Sequence, residues 1–228
     1  MTYSVKNISK KYGKKSILSD ISFEATKGDC IGIVGNNGCG KSTLLKILSG
    51  VLKPDSGEIE YNDTNMLEQR DFISGTVGYV PQDNPLFNTL SVKDNLKLWY
   101  SDSSRSLSED IDSGLIKEFG LTEYLKYPVK KLSGGMKKRL SIVCTLAKDP
   151  EILILDEPGA SLDIRCKNDI KRYMKKFTGN GGIIIIVSHE ETELNACNKI
   201  YLMENGVLSP LNTGTIDELL ERLNRNND

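Results

Sequence analysis

The sequence predicts an α/β fold: a parallel-sheet core, an antiparallel β subdomain from the N-terminal segment, and an inserted α-helical subdomain. Three observations carry this. Four short apolar runs, Cys30–Val34, Val77–Val80, 152–155 and Ile183–Val187, have the unbroken hydrophobicity of strands buried on both faces. Segments of helical periodicity separate them, which is the alternation of βαβ units. Each run also ends on chemically distinctive residues: GNNGCGKST, PQ, DEP and SH. Open parallel sheets bind ligands beyond the carboxyl ends of their strands, where loops and helix N-termini converge. Four such endings predict one shared site.

The remaining elements follow in chain order. β-like pieces at 3–8, 21–25 and 58–61 suggest an antiparallel sheet flanking the main one. Residues 88–149 hold helical patterns and no convincing strand, which makes them a helical subdomain inserted in a single domain whose core is 1–87 and 150–228. Near the C-terminus, 199–203 and 207–208 flank Glu204-Asn205-Gly206, a hairpin pattern. A short helix is expected over 215–223, with 224–228 frayed.

Composition narrows the class. A chain of 228 residues, 38% hydrophobic and 27% charged, is long enough for a large core and too apolar for global disorder. Thirty basic against thirty-one acidic residues give a net charge of −1, without the basic excess typical of nucleic-acid binders, so no nucleic-acid partner is expected. The five cysteines, Cys30, Cys39, Cys144, Cys166 and Cys197, show neither C-x-x-C nor zinc spacing and read as reduced cytoplasmic thiols. MTYSVKNISKKYG is too polar for a secretory leader. The longest apolar stretch, Ile183–Val187, is far short of the ~18 residues of a membrane span. Any membrane crossing must come from another chain.

Gly35-Asn36-Asn37-Gly38-Cys39-Gly40-Lys41-Ser42, followed by Thr43, matches G-x-x-x-x-G-K-[ST] between a strand and an apolar helix. Glycines let successive N–H groups turn inward as an anion nest, and the helix N-terminus adds its positive end. Lys41 is placed for the β- and γ-phosphates of a nucleotide and the Ser42 hydroxyl for Mg²⁺. The loop alone says only nucleoside triphosphate.

Two carboxylates, Asp156 and Glu157, follow four aliphatics in EILILDEP. Asp156 suits a Mg²⁺ contact. Glu157 suits the orientation of an attacking water, since phosphoryl transfer asks the protein mainly for positioning and charge neutralisation. The plainer alternative is an ordinary strand-to-turn boundary, where acidic residues are common.

Leu132-Ser133-Gly134-Gly135-Met136 lies between these two motifs and resembles the LSGGQ signature of ATP-binding cassette (ABC) ATPases. In that order the three motifs resemble the family over almost the whole chain, which implies the ABC ATPase version of the P-loop fold. Further residues fall in family order. Tyr12, in KKYGKKSIL, resembles the aromatic residue that stacks on adenine. Gln82, in YVPQ, resembles the Q-loop glutamine, a contact for Mg²⁺ and water. Ser161-Leu162-Asp163 resembles the D-loop. His189, the sole histidine, resembles the switch histidine that meets the γ-phosphate. Met136 departs from the usual glutamine and is similar to export-type members.

Ser133 is a good N-cap for a helix running to about Lys148 with Leu140, Val143, Cys144 and Ala147 on one face. The resemblance implies that Ser133, Gly134 and Gly135 close over ATP held by a second nucleotide-binding domain, so the working unit is a dimer. It also implies ATP hydrolysis that drives transport, of export type, through separate permease subunits, with the chain at the inner face of the membrane. Within 83–98, Pro85, Leu86, Phe87 and Leu90 form a candidate docking patch for the permease, or else pack inside the subdomain. Soluble ABC ATPases of DNA repair or translation are the alternative. Lys137-Lys138-Arg139 reads as a solvated face or as intradomain pairing. Cys39 is either a small filler or a thiol activated by its position beside Lys41.

Overall fold

Strand β3 (Cys30–Val34) lies inside the main sheet, paired in parallel with β8 (Ile183–Val187) on one side and β9 (Lys199–Glu204) on the other. Beyond β8 come β7 (Ile152–Asp156) and then β6 (Val77–Val80), both parallel. Beyond β9, β10 (Val207–Pro210) closes the expected antiparallel hairpin. The six-stranded order is thus β10-β9-β3-β8-β7-β6. The structure, a computed structural model, describes residues 1–160 and 162–211, with every side chain but that of Arg70. Ser161, the helix expected at 215–223 and the tail at 224–228 lie outside the described residues.

The continuous apolar runs have a simple cause. Ile152, Ile154, Ile183 and Ile185 pack into one core, and Leu153, Leu155, Ile184 and Ile186 into another on the opposite face. Side chains alternate between faces with period two, so a sheet covered on both sides needs apolar residues at every position. Each such burial is worth roughly 2 kcal/mol.

The first core lies under the N-terminal sheet. Strands β1 (Thr2–Tyr12), β2 (Lys15–Thr26), β4 (Ser56–Tyr61) and β5 (Thr64–Asn65) pair antiparallel in the order β2-β1-β4-β5. Helix α1 (Lys41–Leu48) fills this layer with Leu44, Leu45, Ile47 and Leu48. Strands β1 and β2 extend well past the expected 3–8 and 21–25 and meet at a tight turn through Gly13. Register shifts between Val5 and Lys11 break the alternation, and Asn7 and Asp20 both take left-handed backbone.

Against the other face lie α3 (Val92–Tyr100), α6 (Gly134–Leu146) and α7 (Ile164–Gly179), whose buried residues join the second core. The smaller helices α2 (Arg70–Thr76), α4 (Leu107–Asp112), α5 (Leu115–Glu118) and α8 (Glu191–Leu194) complete the order. Between β6 and β7 the described chain is helical and irregular apart from one isolated bridge, Ser91 to Pro128. Helix α6 starts as expected on Ser133, whose hydroxyl accepts from Met136 N, and ends at Leu146, slightly before the expected Lys148.

Candidate functional site

Four loops meet at the carboxyl ends of β3, β6, β7 and β8, as the strand endings predict. The loop after β3 needs its glycines. A side chain on Gly35 would run into the Met203 carbonyl, and one on Gly40, at φ 114°, would stand 2.9 Å from the Ile17 carbonyl oxygen. Gly40 lends α1 no side-chain cap, so the first N–H groups of the helix face the loop. Lys41 is only 7% exposed and donates to Gly35 O at 2.6 Å and Asn36 O at 3.0 Å. Its ammonium is wrapped by the loop it follows.

Glu157 sits at the centre. The Gln82 side-chain amide, after β6, donates to Glu157 Oε2 at 3.0 Å. His189 Nε2, after β8, lies 3.6 Å from Glu157 Oε1. Burial lowers the His189 pKa below its usual 6.5 and the Lys41 charge lowers it further, with Glu157 opposing. The imidazole is therefore neutral at pH 7, and the contact is not an ion pair. Glu157 has φ 46°, a left-handed backbone that glutamate rarely adopts and that the surrounding fold must hold.

Asp156, 4% exposed, accepts from Tyr79 OH at 3.4 Å, and the Ser42 side chain nearby favours its charged form. Burial pushes its carboxyl above the ordinary range, and neighbouring Glu157 adds to this. Adjacent carboxylates at the floor of a cleft call for a cation. The oxygen donors of Ser42, Asp156 and the Gln82 amide suit Mg²⁺, which typically takes one or two protein carboxylates and completes its shell with water and phosphate oxygens. Among the described residues no group of three or more His, Cys, Asp or Glu forms a protein-only metal cage.

A hollow of about 390 Å³ links these parts. It is lined by Tyr12, Ile17, Asn37, Gly38, Gly40, Lys41, Ser42, Thr43, Gln82 and Glu157. Tyr12 is 54% exposed, at the end of β1 that the long hairpin carries to the rim. Ser133 and Gly135 do not line this hollow. They line another, with Met136, Asp163 and Arg165. Asp163 caps α7 by accepting from Cys166 N.

Sequence reasoning named the residues that the four loops bring together and missed two supporting groups. Tyr79, on β6, reads as one more strand aromatic, yet its hydroxyl reaches Asp156. Glu193 is buried and accepts from Ser188 Oγ at 2.6 Å, just before His189. In the basic run, Arg139 pairs with Asp169 at 2.6 Å, and Lys138 is buried with its ammonium on Pro81 and Gln82 carbonyls. Both belong to the intradomain reading. In the candidate docking patch, Pro85, Phe87 and Leu90 are exposed, whereas Leu86 packs against the second core.

A sheet of this order with these loops defines a nucleotide-binding cassette. A family model described as ABC transporter matches residues 18–160. The chain belongs to the ABC transporter family, and its part in that family is the ATP-binding cassette, an ATPase.

Similar proteins include the linearmycin resistance ATP-binding protein LnrL of Bacillus subtilis, 34% identical over 95% of this chain and 70% of that protein. The spermidine/putrescine import ATP-binding protein PotA of Mycoplasma mycoides is 33% identical over 92% of this chain and 60% of its own length. The Nod factor export ATP-binding protein I of Rhizobium etli is 32% identical over 88% and 64%. A solved ATP-binding subunit of an ABC transporter superposes with a TM-score of 0.86 at 26% identity, covering 98% of this chain and all of that one.

Proposed function

We propose that the chain binds ATP with Mg²⁺ in the hollow at the ends of β3, β6, β7 and β8. Its hydrolysis then drives transport, of export type, through separate membrane permease subunits. The observation that carries this reading is Glu157, held by Gln82 from one strand end and facing His189 from another, next to a buried Asp156.

Each residue has a task. Tyr12 offers its ring to adenine. The backbone of Gly35, Asn36, Asn37, Gly38, Cys39 and Gly40 cradles phosphates, with Thr43 behind them. An incoming phosphate competes with the Gly35 and Asn36 carbonyls for the Lys41 ammonium and outbids them by its charge. Ser42, Asp156 and Gln82 would hold Mg²⁺, which supplies charge neutralisation on the phosphates. Glu157 orients the attacking water and accepts its proton. Neutral His189 donates from Nε2 toward the γ-phosphate oxygens or Glu157.

Ser133 caps α6, which opens on Gly134 and Gly135, and Ser133 and Gly135 line a hollow apart from the phosphate loop. This separation supports a dimer in which each cassette lends that turn to its partner's ATP. Residues 88–149 act as the helical subdomain that presents the turn. Phe87 and Leu90, with Tyr127 on the segment that pairs beside them, offer an exposed apolar patch to the permease. No helix among the described residues is long and apolar enough to cross a membrane; in this reading the permease brings the cassette to the cytoplasmic face. The named relatives serve both import and export. The export reading leans on the Nod factor export relative and on Met136 in the signature. The same relatives are transporter subunits, which disfavours DNA repair or translation. Co-purification with a multi-span protein, followed by ATP-dependent cargo movement in inside-out vesicles, tests the proposal. Cargo entering such vesicles is export; ATPase activity with no membrane partner overturns the transport reading.

A further inference from the structure

Lys138 lies in the second turn of α6 and is 4% exposed. Its ammonium donates to Gln82 O at 2.8 Å and to Pro81 O at 2.9 Å, and no carboxylate is within ion-pair distance among the described residues. A buried charge is a poor way to stabilise a core: an apolar side chain of similar volume usually does as well or better. The two carbonyls it grips belong to the loop after β6. The side chain of the same Gln82 holds Glu157. The helix carrying Lys138 begins at Ser133. One ammonium therefore spans from the turn that serves one ATP to the loop that positions the base for the other.

We infer that Lys138 is a positioning residue that couples the chain's own hydrolytic carboxylate to its own Ser-Gly-Gly turn. A shift of Gln82 when phosphate and metal engage it is passed through the two carbonyls to α6. The turn offered to the second ATP site moves with it. The link also runs backward, since coupling between sites is reciprocal. This rests on the dimeric reading above and adds a component that none of the sequence motifs contains.

The test uses the purified full chain with Lys138→Met and Lys138→Arg. Lysine and methionine are similar in length, so Lys138→Met keeps the packing and deletes the two hydrogen bonds. The inference expects an unchanged or raised melting temperature, an ATP KM within about threefold, kcat lowered about tenfold and a Hill coefficient moved toward one. Lys138→Arg, which can still donate to both carbonyls, restores most of kcat. In a Gln82→Ala background, Lys138→Met adds little, because residues acting through one another are not additive. Wild-type kcat and cooperativity in Lys138→Met overturn the inference, as does a full additional loss in the Gln82→Ala background. If Lys138→Met fails to fold, the arginine variant decides: loss of cooperativity with both carbonyls still held also overturns it. A wild-type chain that hydrolyses ATP without cooperativity at every protein concentration defeats the dimeric reading instead.

Discussion

Gln82 Nε2 and Glu157 Oε2 meet at 3.0 Å although 75 residues separate them. The contact fixes one oxygen of the carboxylate and leaves Oε1 toward His189. Glu157→Gln is isosteric but cannot accept a proton, so phosphate contacts survive while the water loses its base. Turnover is expected to fall about a hundredfold to ten-thousandfold. ATP binding persists, and the chain elutes as a dimer with ATP. Lys41→Ala loses binding as well. Steady-state hydrolysis and size exclusion with ATP check both, and a Glu157→Gln protein with full turnover removes Glu157 from the role of base.

His189 is the only histidine in the chain, so its imidazole gives a single titrating Hε1 resonance. Burial and the Lys41 charge lower its pKa below 6.5 while Glu157 raises it. The wild-type NMR midpoint is expected below 6.5, higher in Lys41→Met and lower in Glu157→Gln. The unfolded chain takes up this proton near 6.5 and the fold resists it until lower pH. Stability is therefore lost as pH falls through that window. A midpoint at or above 6.5 contradicts a neutral switch histidine.

Glu193 titrates in the opposite sense. Burial pushes its carboxyl from 4.5 up to about 7, with the Ser188 hydroxyl opposing. Between those values the folded chain keeps a proton that the unfolded chain has released, so stability falls as pH rises. Above pH 7 the full cost, roughly 3 kcal/mol, is in place. Glu193→Gln stays neutral and can still accept from Ser188. It is expected to raise the melting temperature by about 5 °C or more at pH 8 and by little at pH 5. Equal shifts at both pH values show that Glu193 is not the group responsible.

The parallel strands and their loops were legible because burial on both faces leaves unbroken apolar runs, and because phosphate chemistry demands glycines, a lysine and carboxylates at fixed offsets. The β1–β2 hairpin was only half legible. Its outer end is rich in lysine, and bulges between Val5 and Lys11 erase the alternation that marks a strand. Lys138 and Glu193 were illegible for a different reason. Their burial is decided by Pro81, Gln82 and Ser188, groups brought near by the fold, and a charged residue carries no local mark of burial. Ser133 showed the converse, since a helix cap is written within four residues.

Cys39 lies in the phosphate loop and is partly exposed, in a hollow with Lys15, Asn36, Asn37, Gly38 and Asn205. The other thiols compete poorly for a reagent. Cys30, Cys144 and Cys166 are buried, and burial pushes the thiols of Cys144 and Cys166 up. The Cys197 thiol is raised by its contact with Cys30 and then by burial. A maleimide on Cys39 would push apart the loop that cradles the phosphates, from the hollow on its other side, and so block hydrolysis. Mg-ATP at ten times its Kd should slow inactivation about tenfold, by simple occupancy. Cys39→Ala should hydrolyse ATP and resist the reagent, since alanine keeps the loop's small volume. Inactivation of Cys39→Ala at the wild-type rate would place the sensitive thiol elsewhere and leave Cys39 as filler.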